Sequence, residues 1–266
     1  MHLLPTSVGL LGLLPAVLAA CSRDALLASA ETYIAAQRSG KTDGLKLASN
    51  FTYRENNKVA DLAKGVLGST ALALDANRST ADTVACASYT MLIAAGGTKP
   101  YVLATQLRHD SGDPSVITMI DTIAATTGAL FFNATKTLGY IQAESWAPLA
   151  TAAQPSRAVL KQIGDAYLDM WTDKNAADSI PWGTNCERVE GSQLTRPCGA
   201  SLPRGGSAQP NAMRRYVIDE TVGSVDVLCA FNSLGNMPDS HEIRVEDGKV
   251  KYVHTITVLE GSGKGM

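Results

Sequence analysis

Two short stretches of the sequence repeat one another and decide the fold: VITMIDTIAA at residues 116–125 and KVKYVHTITV at residues 249–258. MIDTIAA aligns with YVHTITV at an offset of 133 residues, which places Asp121 at the position of His254. In the second stretch, apolar side chains alternate with polar or β-branched ones, and this period of two is typical of a β-strand. The sequence therefore predicts the same strand twice.

Two further pairs of segments repeat at nearly the same spacing. RDALLASAETYIAAQRSG and RAVLKQIGDAYLDMWTDKN both carry apolar residues at helical spacing and align at an offset of 134. After each helix comes the pattern Asn-x-x-x-x-Glu, in NFTYRE and NCERVE, at an offset of 135. Three anchors in one order predict a tandem duplication, with domains at residues 21–150 and 155–260 and a flexible tail at 261–266.

Within each half, a helix precedes strands with alternating side chains. This order predicts an α+β fold of two tandem domains, each a helix packed on a curved antiparallel sheet. A helix laid across such a sheet leaves a conical cavity, which suits a small molecule. The long insert from Glu190 to Ala212 predicts a lid or rim loop over one cavity.

The N-terminal stretch MHLLPTSVGLLGLLPAVLAA, residues 1–20, predicts a secretory signal rather than a membrane span, because prolines and glycines interrupt it. The sequence LAAC also fits a bacterial lipoprotein signal with lipid on Cys21. The start of the chain has no Lys or Arg, however, and three N-x-[ST] sequons follow at Asn50, Asn77 and Asn133. These features favour a secreted or secretory-pathway glycoprotein.

Five cysteines would then mature in an oxidising compartment. Cys186 and Cys198 are close enough to staple one loop, and Cys21 can reach Cys86 at the start of the first sheet. Cys229 lies in the apolar strand VDVLCAF, which predicts a buried free thiol. Neither CxxC nor a Cys/His ligand spacing occurs, so the sequence predicts no metal site.

The net charge of −2 offers no basic stripe and no acidic tail. Nucleic acid and anionic membrane surfaces are therefore not expected partners, and a small apolar or aromatic molecule fits better. The chain lacks GxSxG, HExxH and glycine-rich nucleotide motifs. Serine hydrolases, zinc proteases, kinases and dinucleotide enzymes are excluded on this ground.

Four ionisable side chains are the candidate acid and base groups: His254, Tyr252, His241 and Asp121. Alternation places Tyr252 and His254 on the more apolar face of their strand, and places His241 inward while Glu242 points outward. Asp121 is a predicted buried carboxylate that needs a partner, expected in Tyr53, Arg54 or Asn56. The competing interpretation is that each of these groups only hydrogen-bonds the framework.

Four other residues are candidate substrate contacts. Tyr53, Asn56 and Arg188 follow the two helices, where a cone has its rim, and Trp182 can wall an apolar pocket. A solvated salt bridge or simple core packing is the competing interpretation for this group.

Six motifs carry a resemblance to a known family: CSRDALL, YRENN, AESWAPL, PWGTNCERVEG, RRYVIDETVGSVDV and MPDSHEIRVEDGKVKYVHTITV. In these motifs the chain is similar to a fungal secreted family of largely unknown function that includes hetero-Diels–Alderases of tropolone sesquiterpenoid pathways. The predicted arrangement also resembles the nuclear-transport-factor-2-like cone fold, here in tandem. The family resemblance implies a cofactor-independent enzyme that joins a tropolone quinone methide to a humulene-type sesquiterpene.

Other functions fit the same sequence. A dehydratase, isomerase or cyclase of another natural-product pathway would use a similar cavity, and a secreted small-molecule-binding protein would use it without turnover. A homodimer formed through the open sheet face is a further expectation, since cone folds often associate in this way.

Overall fold

The computed structural model describes residues 21–259 as two tandem units of mixed α and β structure, each with one six-stranded sheet. The first unit contains α1 (Arg23–Ser39), β1 (Leu47–Glu55), β2 (Lys58–Val59), α2 (Val66–Ser69), β3 (Ala76–Asp82), β4 (Ala87–Ala94), β5 (Tyr101–His109) and β6 (Ile117–Thr126). A linking segment carries α3 (Ala134–Ile141). The second unit contains α4 (Arg157–Asp169), β7 (Trp182–Glu190), β8 (Gln193–Thr195), β9 (Ala212–Asp219), β10 (Ser224–Phe231), β11 (Met237–Glu246) and β12 (Lys249–Thr257). The predicted signal and tail lie outside the described residues.

The two sheets have the same topology. Their strand orders are β2-β1-β6-β5-β4-β3 and β8-β7-β12-β11-β10-β9. Glu55 lies opposite Thr122 in the first sheet, and Glu190 lies opposite Thr255 in the second. The repeats found in the sequence therefore occupy equivalent places in the two units. Two pairings, one in each sheet, differ from the expectation of antiparallel strands throughout: β1 runs parallel to β6, and β7 runs parallel to β12.

Each long helix covers one face of its own sheet. Ser22 caps α1, where its hydroxyl accepts from the backbone N–H of Ala25 at 3.3 Å, and Ser156 caps α4 in the same way. Gly164 lets α4 lie close to the sheet, because a β-carbon there would be 3.1 Å from a methyl group of Val227. Buried apolar side chains, among them Tyr33 and Tyr167, fill the space between helix and sheet.

The opposite face of each sheet packs against the other unit. The side chains that meet there are apolar and buried: Tyr89, Met91, Ile93, Ile123, Leu228 and Ile256. Glu242, expected to point to solvent, is 0 % exposed, so that prediction is wrong. The face expected to mediate a homodimer is covered within a single chain.

Four ion pairs cross this boundary in a reciprocal pattern. An arginine at the start of each long helix binds an aspartate at the end of the other unit's edge strand. A second arginine, on each edge strand, binds a carboxylate on the opposing sheet. The pairs are Arg23–Asp219 at 2.9 Å, Arg157–Asp82 at 2.6 Å, Arg78–Glu242 at 2.5 Å and Arg215–Asp121 at 2.7 Å. The two units are thus related by an approximate twofold axis.

Both predicted disulfides are present, Cys21–Cys86 and Cys186–Cys198, and Cys229 is left as a buried free thiol. Disulfides of this kind are typical of proteins that fold in the secretory pathway. The three sequon asparagines are exposed. Among the described residues, no helix combines the length and the apolar character needed to cross a membrane.

Candidate functional site

Tyr252 and His254 do not point into the second unit. Arg244 pairs with Tyr252 while Val245 pairs with Val250, so Lys251 is an extra residue that bulges out of β12. This bulge breaks the alternation, and Val250 and Val253 face the helix-covered side. Tyr252 and His254 therefore lie on the face that packs against the first unit, and the predicted inward direction is wrong.

His254 is held between two carboxylates. Its Nδ1 lies 3.0 Å from Glu242 and its Nε2 lies 2.8 Å from Glu144. Burial acts to lower the pKa of His254, but the two carboxylates outweigh burial and raise the pKa to about 9. Trp146 covers the ring at a centroid distance of 5.8 Å. A charged, enclosed imidazolium of this kind ties β12 to the linking segment after α3 and has no free nitrogen for a ligand.

Asp121 also belongs to the boundary between the units. Its carboxylate binds Arg215 of the second unit rather than Tyr53, Arg54 or Asn56, because β6 presents it to the opposing sheet. Tyr53 instead lies inside the first unit, where its hydroxyl donates to Glu55.

Asn56, Arg188 and Trp182 have structural contacts. Asn56 accepts from the backbone N–H of Ala124 at 2.8 Å. Arg188 donates to the carbonyl oxygens of Cys198 and Ala200 at 2.8 and 3.0 Å, and so anchors the loop that follows β8. Trp182 donates to a backbone carbonyl, and its ring lies 6.3 Å from that of Tyr167. Of these candidate contacts, Arg188 and Trp182 lie next to the interior of the second unit.

His241 is the predicted residue that the fold does bring into an interior. It shares the helix-covered face of β11 with Ile243 and Val245, as alternation predicts. It is 2 % exposed, and its Nε2 lies 2.8 Å from Oδ2 of Asp239. Within the described residues, neither ring nitrogen of His241 nor that oxygen has a hydrogen-bond partner with good angles. Nδ1 of His241 therefore has no partner there, and Nε2 and Oδ2 meet in a close contact that lacks hydrogen-bond geometry.

Aromatic rings surround His241. The centroid distances from its ring are 5.2 Å to Tyr167, 5.8 Å to Phe231 and 6.4 Å to Trp171. Trp171 and Phe231 themselves meet edge to face at 4.6 Å. The polar ring of His241 is thus surrounded by aromatic side chains.

Cys229 lies beside Asp239 and His241. It lies directly opposite Asp239 on neighbouring strands, and the ligand-type atoms of Cys229, Asp239 and His241 all lie within 4.8 Å of one another. We call these three residues the Cys–Asp–His cluster. Burial raises the pKa of the Cys229 thiol well above its ordinary value. A sulfur, a carboxylate and an imidazole at this spacing can hold a metal ion.

Sequence spacing did not reveal this cluster, because its members come from two strands that pair antiparallel. The signal that could have found it is the hairpin register, which sets Cys229 against Asp239 and brings His241 onto the same face two residues later.

The first unit provides an internal comparison. The strand registers place Leu92, Leu103 and Thr105 at the positions of Cys229, Asp239 and His241. Both leucines are fully buried. The fold therefore accepts apolar residues at two of the three positions, and burying polar groups there costs stability. The Cys–Asp–His cluster is a property of the second unit and not of the architecture.

The loop between β8 and β9 lies over the end of α4. Gly205 and Ser207 donate backbone hydrogen bonds to the carbonyl oxygens of Met170 and Trp171, at 2.8 and 2.9 Å. Leu202 packs against the core of the second unit. The Cys186–Cys198 disulfide holds the other end of the loop. These contacts fasten the loop to the second unit, and its role as a lid stays a prediction.

A surface cleft of about 270 Å³ lies beside the turn between β11 and β12, lined by Gly183, Thr184, Asn185, Cys186, Glu246, Asp247, Lys249, Val250 and Lys251. Its lining has no aromatic ring, and most of its lining residues are polar or charged. The Cys–Asp–His cluster, with its aromatic surroundings, is the stronger candidate site.

Residues 153–257 match a family described as Domain of unknown function (DUF8021). The matched range contains the whole second unit from α4 to β12, and with it the Cys–Asp–His cluster. No curated protein matches the chain. The match thus covers the second unit, and the description of the family names no chemistry.

Proposed function

We propose that the protein is an enzyme of fungal secondary metabolism, active in the secretory pathway or outside the cell, with two tandem nuclear-transport-factor-2-like cones. The proposed reaction is an intermolecular hetero-Diels–Alder addition that joins a tropolone quinone methide to a humulene-type sesquiterpene. The resemblance of the sequence motifs supports this reaction. The interior of the second unit is the proposed active site.

One observation carries the proposal: a buried polar cluster with unpartnered atoms stands among aromatic rings in the second unit, and its equivalents in the first unit are largely apolar. Buried polar groups of this kind lower stability unless a ligand satisfies them. Their presence in only one of two similar units favours a role in binding or chemistry.

The proposed reaction needs polar groups and aromatic walls, and the interior of the second unit contains both. Loss of water from a hydroxymethyl tropolone breaks the C–O bond of the hydroxymethyl group and the O–H bond of the ring hydroxyl, and leaves the quinone methide. The addition then forms one C–C and one C–O bond at the expense of one C=C bond of the sesquiterpene and the conjugated C=C and C=O bonds of the quinone methide. Neither step changes the net oxidation state, so the reaction needs no redox cofactor. We infer that His241, with Asp239 beside it, binds the departing hydroxyl group, and that the aromatic rings around His241 contact the two partners.

The test is incubation of the purified glycoprotein with a hydroxymethyl tropolone and a humulene alcohol, followed by chiral chromatography. We expect a single stereoisomer of the adduct, formed faster than in buffer. His241→Ala should slow formation roughly 100-fold or more. Thr105→Ala, at the equivalent position of the first unit, is the matched control and should leave the rate unchanged. A racemic adduct that forms at the rate found in buffer would show that the protein does not catalyse this reaction.

A small-molecule-binding protein is the second candidate, favoured by the loop that is fastened at both ends over the interior. In that case the partner would be recovered unchanged from the protein. His241→Ala would then weaken binding without affecting any turnover.

A further inference from the structure

We propose that Cys229, Asp239 and His241 form a zinc-binding site in the second unit. This inference deepens the proposed function by assigning an electrophile to the same interior. Its catalytic use rests on that function, whereas the binding of the ion does not.

The ligand set favours zinc over other common metals. Zinc sites combine thiolate, imidazole and carboxylate ligands, whereas magnesium and calcium take oxygen ligands almost exclusively. The three ligand-type atoms lie within 4.8 Å of one another, which is compatible with three corners of one coordination tetrahedron after small side-chain adjustments.

The surroundings hold two of the ligands in place. Oδ1 of Asp239 accepts from the hydroxyl of Thr257 at 3.0 Å and from the backbone N–H of Ser240 at 2.9 Å. These bonds occupy one carboxylate oxygen and leave Oδ2 turned toward His241. The ring of His241 is packed against Tyr167 and Phe231. Partners of this kind orient metal ligands in known zinc sites.

The unpartnered atoms point independently to a ligand. Within the described residues, Nδ1 of His241 is buried without a hydrogen bond, and Nε2 of His241 and Oδ2 of Asp239 touch only each other, at 2.8 Å and without hydrogen-bond geometry. A cation at the centre of the cluster would satisfy Oδ2 of Asp239 and one nitrogen of His241 together. The leucines at two equivalent positions of the first unit show that the fold itself does not require these groups.

Three protein ligands leave a fourth coordination position. Catalytic zinc sites typically have three protein ligands and one open position, whereas structural sites have four protein ligands. Tyr167, Trp171 and Phe231 surround His241, so a substrate bound to such an ion would meet their rings. An oxygen of the substrate can occupy the open position.

The test uses the full chain, secreted from a eukaryotic host, stripped with a chelator and titrated with Co²⁺. We expect one cobalt ion per chain and a near-ultraviolet thiolate-to-cobalt charge-transfer band, with the visible bands of four-coordinate cobalt. Zinc should abolish these bands by competition, and elemental analysis of unstripped protein should find zinc. The absence of a charge-transfer band in the wild-type protein would overturn the proposal.

Variants locate the ion. Cys229→Ser should remove the charge-transfer band, and His241→Gln should weaken cobalt binding by at least tenfold. His109→Gln, which alters a buried histidine of the first unit, is the control and should bind cobalt as the wild type does. Retention of the band in Cys229→Ser would place the ion elsewhere and overturn the assignment.

Failure of the zinc site and failure of the enzyme activity are distinguishable. If chelator-treated protein still forms the stereoselective adduct and shows no cobalt band on titration, the proposed activity stands and the metal site is excluded. If the protein shows the cobalt band but forms no adduct, the metal site stands and the proposed reaction is excluded.

Discussion

At the scale of single residues, two histidines on neighbouring strands have opposite environments. His241 faces the interior of the second unit, as the unbroken alternation of β11 predicts. His254 faces the first unit, because one extra residue at Lys251 changes the side of every position after it in β12. The residues around Lys251 include both lysine and valine, and their alternation fits a strand with or without a bulge. The bulge and its effect could therefore not be predicted from the sequence.

His254 should make stability depend on pH. Its pKa is raised from 6.5 to about 9 in the folded protein, so its contribution is complete below about pH 6.5 and is lost as the pH rises through 9. We expect the free energy of unfolding to fall by about 3 kcal/mol over that range. Urea denaturation at a series of pH values measures this. His254→Gln should flatten the profile, and an unchanged profile in that variant would contradict the assignment.

The Cys–Asp–His cluster should lower stability in the absence of a ligand. Cys229→Leu, Asp239→Leu and Thr257→Ala together install the residues of the first unit, Leu92, Leu103 and Ala124. Because this combination removes buried unpartnered groups, we expect the free energy of unfolding to rise by about 1–2 kcal/mol. Chemical denaturation of chelated proteins checks it. A loss of stability would mean that the cluster supports the fold.

At the scale of elements, the faces of strands without a bulge can be predicted from the sequence, whereas the directions of the strands cannot. The helices, the disulfides and the loop over the second unit all follow from local sequence, because periodicity and cysteine position act over short distances. The parallel pairing of β1 with β6 does not. Alternation reports which side of a sheet a residue occupies, and it is the same for a strand that runs either way.

The Cys186–Cys198 disulfide should hold the loop between β8 and β9 in place. Replacing both cysteines with serine is expected to lower the free energy of unfolding by about 3 kcal/mol. It should also expose residues 199–211 to proteolysis, since the disulfide holds one end of that loop. Limited proteolysis with mass spectrometry reads the cut sites. The double serine variant of Cys21 and Cys86 is the control, and it should leave this loop protected.

At the scale of the whole molecule, one chain encloses a boundary with approximate twofold symmetry. The reciprocal arginines explain why Arg23 and Arg157 recur at the start of the two repeated helices: each reaches an aspartate of the other unit. The duplication could be predicted from the sequence. The contact between the two sheets could not, because their outer faces carry charged residues that read as solvent-exposed until their partners are known.

The arginine pairs should contribute equally to the boundary. Arg157→Ala leaves the fully buried Asp82 without its counter-ion, and Arg23→Ala does the same to Asp219. Each change is expected to lower the free energy of unfolding by about 2 kcal/mol, less than for a fully buried pair because each arginine is about a third exposed. Thermal and chemical denaturation of both variants test this. Widely different losses would argue against equivalent roles.

The second unit should not remain monomeric by itself. Residues 153–259 would expose Leu228, Ile256 and Glu242 on a sheet face that is buried in the full chain. We expect this fragment to self-associate, and to bind the first unit when the two are produced together. Light scattering measures both outcomes. A soluble, folded monomer would show that the boundary contributes little to stability.

The approximate twofold axis has a consequence for how the molecule can change. In a true homodimer, every substitution appears twice, so a polar residue introduced into one interior would also destabilise its symmetry mate. A covalently joined pair removes that constraint. One half can keep a dry, apolar interior and act as a scaffold, while the other carries groups that are unfavourable to bury. The stability of the pair is then shared, but only one half needs to bind anything.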